Sequence, residues 1–289
     1  MNLLNGKEIS ETIKNEIRTK VLDIKASGKR APHLAAIQVG TNPASTSYVT
    51  SKVKDCEEVG FTSTLLHFDD NISQEFLLNE IEKLNQNPEI DGFIVQLPLP
   101  KHIDEVLVTN SIKAEKDVDG FHPINLGKMV LGLPTFISAT PYGIIELLKR
   151  YNIPTAGKNV VVLGRSSIVG TPVSILLSRN NAGGNATVTL CHSKTQNLKE
   201  FTSKADIIIA ALGIPEFLKA DMIKQDAIVV DVGISRVEDK SKKSGFKLVG
   251  DVDFEEVSKK SSWITPVPGG VGPMTRVALL QNTLLAYNS

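Results

Sequence analysis

Four short runs in the second half of the chain, Asn159–Leu163, Ala186–Leu190, Asp206–Ala210 and Ala227–Asp231, constrain the fold more than any other feature. Each is rich in Val, Ile or Thr and nearly continuous in apolar character, the pattern of strands buried on both faces of a parallel sheet. Parallel neighbours need long crossovers, so helices must lie between them. A helix over 142–151 precedes the first run. The first half repeats the rhythm: helical spacing over Ser10–Ala26, a run Leu34–Val39, a helix through Tyr48–Val59, a run Phe61–Phe68, a helix over Ser73–Asn85 and a run Gly92–Leu97. Strand and helix alternating at this spacing predict two α/β domains, residues 1–139 and 140–272. The tail, apolar at helical spacing from Val277 to Tyr287, predicts a helix over about 273–289 that packs back on the first domain.

Composition excludes several functions. The 289 residues carry 32 basic and 32 acidic side chains, so no net field gathers nucleic acid or coats an anionic membrane. Neither partner is expected. Apolar runs such as Ile207–Leu212 fall far short of the ~20 residues of a membrane-spanning helix. The two cysteines, Cys56 and Cys191, lie far apart and outside any Cys/His cluster, so neither a disulfide framework nor a metal site is expected. The opening Met1–Lys7 turns polar too early for a signal peptide, and the expected setting is cytoplasmic.

The segment Val161–Pro172 follows a strand and opens a helix. Gly164 at the strand end permits a tight turn, the helix N-terminus supplies free N–H groups for phosphate, and Gly170 permits close packing. It departs from Gly-x-Gly-x-x-Gly because Ser166 holds the middle position and the last gap is longer, so an unliganded turn remains open on this motif alone. The next strand ends Leu190-Cys-His192-Ser193-Lys194, with no acid for a ribose hydroxyl. Arg165, Ser193 and Lys194 suit a 2′-phosphate instead, which makes NADP the expected cofactor and the second domain Rossmann-like. His192 reads as a loop residue.

Tyr48 and Lys52 are four apart and share a helix face. Most such pairs merely share a solvated surface, and Tyr-x-x-x-Lys also marks short-chain dehydrogenases. In that family, however, the nucleotide glycines precede the pair. Here Gly164 follows it.

Three further segments stand out: Asp91–Pro100, Lys116–Asn125 and Ile264–Thr275, the last containing Pro268-Gly269-Gly270-Val271-Gly272-Pro273. Together with Tyr48–Lys52 and Gly164–Gly170, in this order and over nearly the whole chain, they resemble the bifunctional methylenetetrahydrofolate dehydrogenase/methenyltetrahydrofolate cyclohydrolase family. The resemblance implies NADP-dependent oxidation of 5,10-methylenetetrahydrofolate, hydrolysis of the methenyl product to 10-formyltetrahydrofolate, an active-site cleft between the domains, and a homodimer with a small-molecule folate substrate. It implies that Lys52 is the acid–base group with Gln96 hydrogen-bonding it, that Tyr48 positions the pterin, and that Asp119 accepts from the aminopyrimidine edge. Val95, Leu97 and the backbone of Pro268, Gly269, Gly270 and Val271 would line the folate, while Gly164, Arg165, Ser166, Ser193 and Ile234 would hold the nucleotide. Asp117 would support the Asp-Gly turn. Two positions depart from the family pattern: Ala139 stands where cysteine is common, and Arg276 where a small apolar residue is usual. A two-domain shikimate-type dehydrogenase and a non-catalytic nucleotide- or folate-binding module are the alternatives. The first is disfavoured by the Pro-Gly-Gly-Val-Gly-Pro run, and the second leaves Lys52 and Gln96 no reason to converge.

Overall fold

The computed structural model describes the chain apart from residues 240, 243 and 244 and the side chain of residue 44. It forms two compact units, one of residues 11–139 and 276–289, the other of residues 1–10 and 140–275.

The chain opens with β1 (Asn2–Leu3) and α1 (Gly6–Ala26), then runs through β2 (His33–Val39), α2 (Pro43–Val59), β3 (Thr62–Phe68), α3 (Gln74–Gln86), β4 (Gly92–Val95), α4 (Glu105–Ser111) and α5 (Pro123–Leu131). Strands β3, β2 and β4 form a parallel sheet in that order, with Ala36 paired to Leu65 on one side and Ile94 on the other. Period-two alternation sorts its faces. Ala35, Ile37, Val39, Phe93 and Val95 join Leu77, Ile81 and Leu84 of α3 and Val108 of α4 in one apolar core. Each large side chain buried there contributes roughly 1.5–3 kcal/mol. Val95 is thereby committed to packing, and only its backbone remains for a ligand. Helix starts are set locally: Ser73 Oγ accepts from Phe76 N at 3.1 Å to begin α3, and Asp104 Oδ1 accepts from Val106 N at 2.9 Å to begin α4.

The other unit contains α6 (Ala139–Arg150), β5 (Asn159–Leu163), α7 (Gly170–Ser178), β6 (Thr187–Cys191), α8 (Leu198–Thr202), β7 (Ile207–Ala210), β8 (Ile228–Asp231), β9 (Ser235–Glu238), β10 (Phe246–Val249), α9 (Phe254–Ser258) and β11 (Trp263–Ile264). Six strands form a parallel sheet in the order β1-β11-β8-β7-β5-β6, the doubly wound architecture expected for a nucleotide domain. The sequence reading placed residues 1–10 with the first domain. They belong with the second, because β1 extends its sheet: Asn2 N donates to Ser262 O at 2.8 Å and Leu4 N to Ile264 O at 2.9 Å. A two-residue edge strand carries too short a pattern to be read. The last helix, α10 (Val271–Tyr287), begins in this unit and from Arg276 onward counts with residues 11–139.

Strands β9 and β10 pair antiparallel. The turn expected over Glu238–Gly245 includes residues 240, 243 and 244, which lie outside the described residues. Among the described residues no helix is long and apolar enough to cross a membrane.

Two glycines set close approaches at the turn that follows α4, one to β4 and one to the segment that precedes α6. A Cβ on Gly92 would lie 2.2 Å from Val118 Cγ1, and one on Gly120 would lie 2.6 Å from Ser138 N. Gly120 also has φ +73, a left-handed conformation that side chains disfavour. Gly120→Ala is therefore expected to cost about 2 kcal/mol or more in chemical denaturation. An unchanged midpoint and slope would contradict this account of the turn.

Candidate active site

Helix α2 begins where Asn42 Oδ1 accepts from Ser45 N at 3.3 Å, with Pro43 in the first turn. Among its described residues the buried ones are Ser45, Val49, Lys52, Asp55, Cys56 and Val59, a stripe at helical spacing. Lys52 thus occupies a core position and is 6% exposed. Its Nζ donates to Gln96 Oε1 at 3.3 Å and lies 4.9 Å from the centroid of the Tyr48 ring. Gln96 is held from two sides, its N donating to Ile37 O at 2.9 Å and its Nε2 to Leu97 O at 2.7 Å. That fixes which end of the amide Lys52 meets. Burial pushes the Lys52 ammonium below the ordinary lysine range, opposed more weakly by the charges of Asp119 and Cys56. Burial also pushes the Asp119 carboxyl up, against the pull of Lys52.

The turn carrying Asp119 is built by its neighbours. Asp117 Oδ2 accepts from His122 N at 2.7 Å and Asn125 Nδ2 at 2.9 Å, while Ser138 Oγ donates to Gly120 O at 2.9 Å. Burial raises the Asp117 carboxyl to about 6, and it faces its own loop, as its supporting role requires. Asn282 of α10 adds a brace that sequence reading missed: its Nδ2 donates to Val118 O at 2.8 Å and Ile137 O at 2.9 Å. The available signal was the amide pair Gln281-Asn282 amid the apolar tail.

Tyr48, Lys52, Val95, Gln96, Leu97 and Asp119 all lie in the unit of residues 11–139 and 276–289. Pro268, Gly269, Gly270 and Val271 lie in the other unit, where the loop is tied to the chain start. Lys7 N donates to Gly269 O at 2.9 Å, and a Cβ on Gly6 would lie 1.8 Å from Gly270 O. The Val271 side chain is buried, whereas Pro268 is exposed.

The nucleotide motif occupies the C-terminal ends of β5 and β6. Gly164 N donates to Cys191 O at 2.9 Å, so the Gly164–Ser166 turn and the Ser193–Lys194 turn start from adjacent strand ends. Gly164 has φ +108 and a Cβ there would lie 2.0 Å from Ala211 O; one on Gly170 would lie 1.9 Å from Gly164 O. Side chains are excluded where the turn meets α7. Ser166 Oγ accepts from Val169 N at 3.2 Å, and Arg165, Ser166, Ser193 and Lys194 are exposed. A flush glycine turn at a helix start, flanked by exposed cationic and hydroxyl side chains, fits a phosphate-bearing nucleotide. His192 serves its own loop, its Nδ1 accepting from Lys194 N at 3.2 Å.

Ile234, on the loop after β8, is 66% exposed. That loop and the one after β7 are braced by two buried carboxylates that sequence reading missed. Asp231 accepts from Gly233 N at 3.0 Å, Asp251 N at 2.8 Å and Val252 N at 3.0 Å, while Asp251 accepts from Gly213 N at 2.9 Å. Burial raises Asp231 to about 7, helped by the nearby charge of Asp251. Among the described residues no group of three or more His, Cys, Asp or Glu side chains could hold a metal ion.

Fold and site together define an α/β enzyme with a nucleotide-binding unit and a buried-lysine site. Comparison with known proteins narrows this class. Residues 4–119 match the tetrahydrofolate dehydrogenase/cyclohydrolase catalytic domain, and residues 138–289 the NAD(P)-binding domain of the same family. The bifunctional protein FolD of Flavobacterium johnsoniae is 60% identical over 286 residues, covering 99% of this chain and 97% of its own. The crystal structure of the bifunctional FolD dehydrogenase/cyclohydrolase of Campylobacter jejuni superposes with a TM-score of 0.93 at 50% identity, covering 100% of this chain and 99% of the other. That of the Trypanosoma brucei enzyme, complexed with NADP cofactor and inhibitor, gives 0.92 at 38% identity, covering 98% and 96%. The chain belongs to the tetrahydrofolate dehydrogenase/cyclohydrolase family. It is a bifunctional methylenetetrahydrofolate dehydrogenase and methenyltetrahydrofolate cyclohydrolase, and neither a shikimate-type dehydrogenase nor a non-catalytic module.

Proposed function

We propose that Lys52 is the acid–base group of the hydrolytic step and that the oxidative step depends on placement rather than proton transfer. The observation that carries this reading is a lysine in the core stripe of α2 that donates a hydrogen bond to a neutral amide, Gln96. Burial lowers the proton affinity of Lys52, which favours its neutral form relative to an exposed lysine. Neutral Lys52 takes a proton from the water that attacks the methenyl carbon. It returns that proton to the ring nitrogen that leaves as the C–N bond breaks, and the proton of the added hydroxyl passes to solvent as the formyl group forms. Gln96 holds Nζ in place without adding charge. Tyr48, whose ring lies against Nζ, positions the pterin, and Asp119 accepts hydrogen bonds from its aminopyrimidine edge. Leu97 and the backbone of Val95 add the further folate contacts of this unit.

The nucleotide taken is NADP, which when bound supplies a hydride acceptor for the carbon flanked by two nitrogens. Gly164 and Ser166 lie against its pyrophosphate, Arg165 and Ser193 hold the 2′-phosphate, and Ile234 packs on the nucleotide. The Trypanosoma brucei relative carries NADP in its crystal structure, which supports the assignment. A homodimer in the cytoplasm completes the reading.

Lys52→Met is expected to lower methenyl hydrolysis by about 100-fold or more while NADP binding is retained. Full retention of hydrolysis would remove Lys52 from the mechanism. Arg165→Ala should weaken NADP by about tenfold or more in equilibrium binding and leave NAD nearly unchanged. Equal weakening of the two nucleotides would sink the phosphate contact.

A further inference from the structure

Asp251 is fully buried, and its hydrogen bonds run to three separate stretches of the nucleotide-binding unit. Its Oδ2 accepts from Leu212 N at 2.5 Å and Gly213 N at 2.9 Å, on the loop after β7. Its N donates to Asp231 Oδ1 at 2.8 Å, at the end of β8, and its O accepts from Leu218 N at 2.9 Å. The remaining oxygen, Oδ1, accepts no hydrogen bond among the described residues. It lies against Gly233 of the loop after β8, where a Cβ would come within 2.2 Å of it. One carboxylate therefore meets both loops, holding the first by charge-assisted hydrogen bonds and packing on the second.

These loops border the residues assigned to the nucleotide. Ala211, immediately before Leu212, donates its N to Leu163 O at 2.8 Å, and its O lies where a Cβ on Gly164 would come within 2.0 Å. The Gly164 turn is thus floored by the loop that Asp251 holds. Ile234 directly follows Gly233, whose N donates to Asp231 Oδ1 at 3.0 Å. Both loops leave the C-terminal ends of neighbouring parallel strands, β7 and β8, where sheets of this kind present their ligands.

We propose that Asp251 is a positioning residue for the dinucleotide: its carboxylate clamps the loops after β7 and β8, and through them sets the Gly164 turn and Ile234 for binding. The inference rests on the reading of Gly164 and Ile234 as nucleotide contacts. Asp251, fully buried, touches no ligand itself. What it supplies is preorganisation, since a loop already held in its binding geometry spends no binding energy on being ordered. NADP in turn favours the clamped arrangement, because a ligand that binds one arrangement disfavours its alternative.

Two measurements on the full-length protein test this. In the wild type, hydrogen exchange of the Leu212 and Gly213 amides requires their release from Asp251, and saturating NADP should slow it about tenfold or more. In Asp251→Ala, the KM for NADP in methylenetetrahydrofolate oxidation should rise about tenfold or more, with kcat at saturating NADP within about threefold of wild type. Asp251→Asn keeps an oxygen for Leu212 and Gly213 and should bring that KM back to within about threefold of wild type. If Asp251→Ala does not fold, Gly233→Ala takes its place, because the added methyl displaces Asp251 Oδ1, and the same rise in KM is expected. A merely structural role would reduce the folded fraction, lowering kcat without moving KM. NADP that binds without slowing exchange at Ser166 and Ile234 would remove the reading beneath this inference, and the inference with it. Slowing there but not at Leu212 and Gly213, or an unchanged KM in the variant that folds, would overturn the clamp alone.

Discussion

The proposed hydrolytic site rests on one energetic conflict: a lysine placed where a helix would bury an apolar side chain. Taking an ammonium out of water costs several kcal/mol unless charge or hydrogen bonding compensates, and a group so placed lowers that cost by giving up its proton. Around Lys52 the compensation is partial. Gln96 offers a neutral oxygen at 3.3 Å, and the charge of Asp119 acts against the shift without reversing it. Everything nearby keeps this balance from collapsing into an ordinary ion pair. The backbone of Ile37 and Leu97 fixes Gln96, and the brace from Asn282 to Val118 and Ile137 holds the Asp119 turn.

The same logic governs the other carboxylates in this unit. Asp55, equally buried, is given full cationic partners in Arg276 and Lys14, and Asp117 is given N–H donors from its own loop. Compensation is thus generous at Asp55 and Asp117 and sparse at Lys52 itself, which is the distribution a titrating catalytic group requires.

Much of the fold was legible because it rests on patterns of period 2 and 3.6. The four apolar runs became β5, β6, β7 and β8, and the alternation of the first half became β2, β3 and β4 with their helices. What escaped was short or long-range. Strand β1 has two residues and is defined only by its partner β11, and α8 and α9 have five residues each, fewer than periodicity needs. At the proposed site, motif order singled out Tyr48, Lys52, Gln96 and Asp119, and all four lie in the first unit. Asn282, Asp55 and Lys14 were not found, because each is explained by a partner remote in sequence. Arg276 was visible only as an unexplained departure until Asp55 supplied its reason. The buried stripe Ser45, Val49, Cys56 and Val59 held a clue that spacing alone could have read, since it assigns Lys52 to the core.

The central claim is that Lys52 releases its proton far more readily than an ordinary lysine. Titration of the chain with isotopically labelled lysines, followed by NMR and compared with Lys52→Arg, measures this directly. The account predicts one lysine signal titrating clearly below the rest and missing from the variant. A Lys52 signal that titrates with the surface lysines would contradict it.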